Sequence, residues 1–292
     1  MPGFHLPYLA GAADGLFAEH GLEVEILEPA PGPGNIRRVA RADADFCLTS
    51  VLHYLVAVAE DGELPARFAA VISQASPMAG LVAADASLSE SADLGGRRVG
   101  GPPGGRLLTE YRACLARHGI ADPVEVTCAY DDAPAALARG DIDVVPDFAD
   151  LLPRVRRQAR IEVRAVRIGV DVYATGLVAG DHVPAERVAR MRAAVAAAVE
   201  RQRQAPMTGL DALRRRYPAV DPDEAVEGWS LAQPAIFTGV PVGTMEPQRW
   251  RTTLAHYAAG HGLHVPDPVA VFRAEFATEA GRAPVGRATA DR

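Results

Sequence analysis

Residues 97–130 read RRVGGPPGGRLLTEYRACLARHGIADPVEVTCAY. A short apolar stretch at Arg97–Gly100 meets a glycine and proline loop at Gly100–Gly105, and apolar residues then recur at helical spacing from Leu107 to His118. Val124–Tyr130 returns to strand-like alternation. Strand, glycine turn, helix and strand in this order predict one unit of an open, mostly parallel α/β sheet.

The same grammar extends in both directions. Downstream, Ala133–Arg139 predicts a helix, Ile142–Val145 a strand, Phe148–Gln158 a helix and Ile161–Ile168 a strand. Upstream, Leu9–His20 predicts a helix stopped by Gly21, and Leu22–Leu27 alternates apolar with acidic residues as a strand does. Pro29–Gly34 is a loop, Ile36–Arg41 a short helix, Asp45–Thr49 a strand, and Ser50 opens a helix through Ala59. Phe68–Ser73 and Met78–Ala83 read as two more strands. After Gly180 the pattern changes to arginine-rich amphipathic helices at Ala185–Gln204, Gly209–Tyr217, Asp223–Phe237, Pro247–Gly260 and Val269–Ala280, with a loose tail from Pro284.

Composition narrows the function classes. All 30 basic residues are arginine, so chemistry that needs a lysine amine, including a pyridoxal phosphate Schiff base, is excluded. A net charge of −7 gives no general attraction to nucleic acid. Cys47, Cys114 and Cys128 lack the spacing of a zinc site or a disulfide framework. Neither a metal nor a cofactor is expected, and no apolar run is long enough to span a membrane.

An internal echo suggests two lobes. Gly80–Asp85 and Gly176–Asp181 read GLVAAD and GLVAGD. If these segments lie side by side, one leaving a first lobe and the other returning to it, they form a two-strand hinge. The expected division is residues 1–83 and 177–292 in the first lobe, with 84–176 inserted as the second.

With His5-Leu-Pro-Tyr8, the run Asp14 to Glu25 containing Gly21-Leu-Glu-Val-Glu25, Ala44-Asp45-Phe46 with Thr49-Ser50, Ser76-Pro77, Ala92 to Gly100, and Gly140-Asp-Ile-Asp143 in this order, the sequence resembles the solute-binding proteins of ABC importers for sulfonates, taurine, nitrate and thiamine pyrimidine precursors. Gly243 to Trp250, Gly262-Leu263 and Phe272 to Phe276 look most like the pyrimidine-precursor branch. The resemblance implies a periplasmic-binding-protein type II fold, a small solute in the inter-lobe cleft, an ABC permease as partner, a monomer and an extracytoplasmic location. It also implies a β-strand ahead of the His5 loop, where only Met1–Phe4 stand. The expectation is that a first strand and an export signal lie upstream; the rival is a cytoplasmic or decayed member of the family, and a cytoplasmic ligand sensor is an alternative function. Pyrimidine synthesis by related enzymes needs a lysine-bound cofactor and a cysteine-rich motif, and both are absent from the sequence.

Ligands in open α/β sheets settle at the carboxyl ends of strands, near helix N-termini. That rule selects His5 and Tyr8 at the first helix, Ser50 and His53 after the Thr49 strand, Ser76, the loop residues Gly104 and Gly105 with Arg106, Asp147, and Tyr173 where the chain returns. The glycine loop brings amides close to an anion or carbonyl oxygen, and Arg106 adds charge, although the loop has neither a P-loop ending nor a dinucleotide fingerprint. For Ser50, His53, Ser76, Asp131 and Asp147, helix capping competes with solute binding. Trp229, Phe237 and Trp250 read as core, and the arginines at 154, 156, 157, 160 and 214–216 as solvated faces. No catalytic residue is assigned. The enzyme alternative pairs Cys47 or Cys128 with His5 or His53, as in desulfinase- or decarboxylase-like enzymes on this fold, but both cysteines fall in apolar strands.

Overall fold

The computed structural model describes residues 3–277. Its strands are β1 (Phe46–Ser50), β2 (Ala66–Ser73), β3 (Met78–Ala83), β4 (Arg98–Gly101), β5 (Val124–Thr127), β6 (Val145–Phe148), β7 (Val163–Arg167) and β8 (Thr175–Gly180). The helices are α1 (Leu6–Ala13), α2 (Leu16–Glu19), α3 (Gly34–Ala40), α4 (Val51–Asp61), α5 (Arg106–Arg117), α6 (Ala133–Arg139), α7 (Leu152–Ala159), α8 (Ala185–Gln204), α9 (Leu210–Arg216), α10 (Pro222–Ile236), α11 (Pro247–His261) and α12 (Pro268–Val271).

The strands build two sheets. One has the order β1-β8-β2. In the other, β6-β3-β7 is extended by the parallel pair β4-β5, joined where Val99 bridges Val144 and the Gly100 N–H donates to the Val144 carbonyl at 3.2 Å. The second sheet therefore runs β5-β4-β6-β3-β7.

The expectation of mostly parallel sheets is corrected. Both neighbours of β8 and both neighbours of β3 pair antiparallel to it. The cause is connectivity: β3 and β8 are the strands that arrive from the other sheet, and each enters against the direction of the two strands it separates. The echo Gly80–Asp85 and Gly176–Asp181 is corrected with it. Those segments lie in different sheets, β3 and β8, and their likeness reflects equivalent central positions rather than contact. β3 pairs with β6 and β7, so the change of sheet falls ahead of Met78 rather than at Ala83.

Helices cover the faces as apolar burial requires. Tyr8, Phe17, Met191, Val195, Trp229 and Ile236 pack on one face of the first sheet. On the other face Tyr54, Phe68 and Trp250 belong to a core that continues through Tyr111, Leu115 and Tyr257 to the second sheet. α6 and α7 bury Leu137, Leu152 and Val155 against Leu81 and Val145.

Local departures have local reasons. Gly15 at φ +76° breaks the expected Leu9–His20 helix into α1 and α2. Leu22–Leu27 keeps its alternation, with Leu22, Val24 and Ile26 inward and Glu23 and Glu25 exposed, yet belongs to no ladder because no strand among the described residues lies alongside to accept its hydrogen bonds. The expected Val269–Ala280 helix is only α12, after which Phe272 bridges Phe68 of β2. Its last three residues and the Pro284 tail lie outside the described residues. The arginines of α7 are not merely solvated: Arg156 pairs with Glu227 at 3.0 Å and Arg157 with Glu224 at 2.8 Å, which docks α7 on α10.

The chain changes sheet twice, at residues 74–77 and 168–174, and the two crossings bond to each other. Ser76 N–H donates to the Val170 carbonyl at 2.9 Å and Ala174 N–H to the Ser73 carbonyl at 3.0 Å. Arg249 of α11 ties both together by donating to Gln74 and Asp171 while its guanidinium lies 4.5 Å from the centre of the Tyr173 ring. We expect Arg249→Met, which keeps bulk and removes the donors, to lower stability by about 1–3 kcal/mol in urea unfolding; an unchanged midpoint would show that the crossings hold without it.

Candidate functional site

Two of the connections between strand and helix face the junction of the lobes. α5 starts at Gly105 without a side-chain cap, so its first-turn N–H groups retain hydrogen-bonding capacity toward an acceptor. The loop before it turns at Gly104, where φ is +66°, and a Cβ on Gly105 would meet Pro102 at 2.8 Å. Glycine is required at both positions. The loop, Arg106, Leu107, Tyr130 and Pro146 line a cavity of about 230 Å³, and Arg106 itself is exposed at its edge.

Across the junction stand half-buried His53 on α4 and His261 at the end of α11. Burial first, and the charge of Arg106 second, hold both imidazoles below their ordinary range. The guanidinium is thus the fixed positive charge, and the histidines offer neutral donor or acceptor nitrogens around it. Such a set suits the anionic head of a small organic molecule. Ser50 takes its capping role, accepting from the His53 N–H at 3.1 Å, and so fixes the start of α4.

Asp147 is fully buried at the end of β6. Its carboxylate accepts from the Tyr130 hydroxyl at 2.5 Å, from the Phe148 N–H at 2.8 Å and from Arg154 at 3.3 Å. Burial raises its pKa, while the hydrogen bonds and Arg154 act against that rise. Arg154 also lies 4.7 Å from the centre of the Tyr130 ring. These partners occupy Asp147, whose role here is to position Tyr130 at the wall of the small cavity.

The remaining sequence-derived residues are dispersed. Ser76 is buried in the first crossing, where its hydroxyl accepts from the Met78 N–H at 3.3 Å. Tyr173 is buried in the second; its hydroxyl accepts from the Glu246 N–H at 2.9 Å and its ring packs edge-on against Trp250. His5 and Tyr8 line a separate groove of about 970 Å³ with Phe46, Cys47 and Leu48. The groove belongs wholly to the first-sheet lobe, as the smaller cavity belongs wholly to the second; Arg106 at the edge of the smaller one acts on His53 and His261 of the first lobe. Tyr130, Arg154, His261 and Arg249 were missed by sequence reasoning. Tyr130 had a signal, lying beside Asp131 after a predicted strand; the others stand on helices whose spacing gives no hint of this site.

A family model for NMT1/THI5-like proteins matches residues 3–208, more than two thirds of the chain. The chain belongs to the NMT1/THI5-like family. No curated protein sequence matches it. Among solved structures, it is similar to the periplasmic aliphatic sulphonate-binding protein SsuA of Escherichia coli, at a TM-score of 0.71 and 14% identity over 93% of this chain and 89% of that one. The alkanesulfonate-binding SsuA of Xanthomonas axonopodis pv. citri bound to MOPS gives 0.64 and 15%, covering 94% of both chains. A mutant of DszB in complex with biphenyl-2-sulfinic acid gives 0.61 and 15%, over 94% and 93%. The likeness establishes the two-lobe periplasmic-binding-protein fold.

Behind Arg106, α5 packs on α11 through Glu110, Cys114, His256 and Tyr257. Cys114 Sγ lies 4.0 Å from His256 Nε2. Glu110 is buried without a cationic partner among the described residues, and burial pushes its carboxyl up to about 8. Between pH 4.5 and 8 the folded chain therefore holds a proton that the unfolded chain has released, and stability falls as pH rises. His256, held down to about 4 chiefly by burial, acts in the opposite sense as pH falls from 6.5 to 4. We expect Glu110→Gln to remove an alkaline loss on the order of 3 kcal/mol in denaturant melts compared at about pH 5 and about pH 8; an unaltered slope would contradict this.

Proposed function

We propose that this chain is a solute-binding protein of an ABC importer, with two lobes that close over one small organic anion. The sulfonate and taurine class fits the site best. The observation that carries the reading is the convergence of the uncapped α5 N-terminus and Arg106 with His53 and His261 from the other lobe. A sulfonate spreads one negative charge over three acceptor oxygens, which suits amide and guanidinium donors while the neutral imidazoles meet the remaining polar or apolar part. The pyrimidine-precursor class lacks that charge and ranks second.

In this reading the lobes, over the described residues, are 3–77 with 175–277, and 78–174, each carrying one sheet. The paired crossings at 74–77 and 168–174 act as the hinge. Solute stabilises the closed form because the second lobe supplies Arg106 and the first supplies His53 and His261. A membrane permease reads that form, and the protein works outside the cytoplasm as a monomer.

The thiols favour binding over catalysis. Burial pushes Cys47 and Cys114 up to about 12 and also raises Cys128, so none is poised as a thiolate nucleophile at neutral pH.

The test is a thermal-shift screen of alkanesulfonates, taurine, nitrate and aminopyrimidines. A sulfonate at a hundredfold excess over its Kd adds about 2.7 kcal/mol to stability and raises the Tm. Arg106→Ala weakens the affinity for that solute by roughly 10- to 100-fold. A solute that binds both proteins equally would remove Arg106 from the site, and a pyrimidine as the sole hit would reverse the ranking of solutes.

A further inference from the structure

The contact between α5 and α11 joins the two bodies away from the crossings. α5 rides on the second sheet, against β3, β4 and β6, whereas α11 is anchored on the first, where Trp250 packs on Phe68 of β2. The helices lie antiparallel, with Arg106 acting on His261 at one end and Arg117 on His256 at the other. Their backbones come close at Gly260, where an added Cβ would stand 2.8 Å from that of Ala113.

Glu110 is a charged residue type in a place that excludes water. It stands one helical turn behind Arg106 and is only 4% exposed. On its own helix the polar neighbours one turn away are Arg106, which is exposed and directed at His53 and His261, and Cys114, which Ser76 of the first crossing approaches. Across the contact stand His256, 4.0 Å from Cys114, and Tyr257, whose hydroxyl is pushed up by burial first and then by Glu110 and Cys114. On the strands beneath α5, Arg98 is taken by Asp143, and Asp147 by Tyr130 and Arg154. No cation among the described residues neutralises Glu110, and burial is the cause that raises its carboxyl to about 8. A carboxylate at this position needs water beside it. Neither body has to unfold to admit that water: swinging α5 away from α11 about the crossings exposes Glu110 while both sheets keep their ladders.

We propose that Glu110 is a proton-operated clasp between the lobes: the α5–α11 contact holds while its carboxyl carries a proton, and loss of that proton parts the two helices. Below the ordinary carboxylate range the acid is protonated in both forms, so it gives opening no pH dependence there. From 4.5 to about 8 the closed contact keeps a proton that the open form releases, so each pH unit favours opening by about tenfold, and the effect levels off above about 8. His256, His53 and His261 act in the reverse sense at the acid end, because opening restores their ordinary basicity. A solute enclosed at Arg106, one turn away, is held less firmly as pH rises. That consequence rests on the proposed function; the clasp does not, and its test uses no solute.

Cys114, shut inside the same contact, reports the opening. Wild-type and Glu110→Gln proteins are treated with N-ethylmaleimide, and labelling of Cys114 is read by peptide mass spectrometry. Each rate is divided by that of the urea-unfolded chain at the same pH, which removes the thiol's own titration. Between about pH 6 and pH 8 the normalised rate of the wild type, relative to that of the variant, rises roughly 50-fold. Hydrogen exchange of the Leu81 amide in β3, followed on the same samples, reports less frequent opening than Cys114 does, as movement of intact lobes requires. If the variant does not fold, the wild-type profile decides, with a rise of about fivefold from pH 7 to pH 8 that levels off above. A pH-independent ratio of wild type to variant, a flat wild-type profile, or labelling of Cys114 no more frequent than the opening at Leu81 would overturn the proposal.

Discussion

The architecture depends on a pair of backbone crossings that hydrogen-bond to each other. Because the chain passes from the first sheet to the second at 74–77 and returns at 168–174, each sheet receives one strand from the other body, and each such strand enters antiparallel between two parallel ones. The bonds of Ser76 to Val170 and of Ala174 to Ser73 hold the crossings side by side. Arg249 and the aromatic contacts of Trp250 with Phe68, Tyr173 and Phe272 fasten them to the C-terminal helices. Among the described residues two crossings join the bodies, and in the proposed reading they serve as the hinge about which the lobes close over a solute.

Those faces are unequal in character. On one side of the junction, α7 meets α10 through arginine and glutamate pairs that are partly exposed and individually weak. On the other, α5 meets α11 over a buried surface that includes an acid, a thiol and a histidine, and it ends at Arg106, His53 and His261. Burial of the Glu110 carboxyl at this interface pushes its pKa up to about 8. The glycine loop gives α5 a close, open approach to that end, and Asp147, held by its own partners, stiffens Tyr130 behind it.

The elements were legible in the sequence wherever local patterning decides structure. The glycine loop ahead of Arg106, the strand Met78–Ala83 and the long helix from Ala185 to Gln204 all stand where their spacing put them. What required the fold was pairing. Alternation at Leu22–Leu27 describes a face and not a partner, so it could not report that no ladder forms there; the likeness of Gly80–Asp85 to Gly176–Asp181 could not distinguish contact from equivalence. The site divided in the same way. Gly105, Arg106 and His53 are singled out by the rule that a loop after a strand exposes amides, whereas His261 and Arg154 stand on helical faces whose direction only packing sets. Tyr173 was placed correctly at the return of the chain, but its hydroxyl and ring serve the crossing and its anchor on α11.

The central claim, that the two bodies hold one solute without transforming it, is tested most directly by native mass spectrometry of the protein incubated with a solute that stabilises it. The account predicts a single added mass equal to that of the intact solute, released unchanged on denaturation. An added mass different from the solute, or a product recovered in its place, would contradict it.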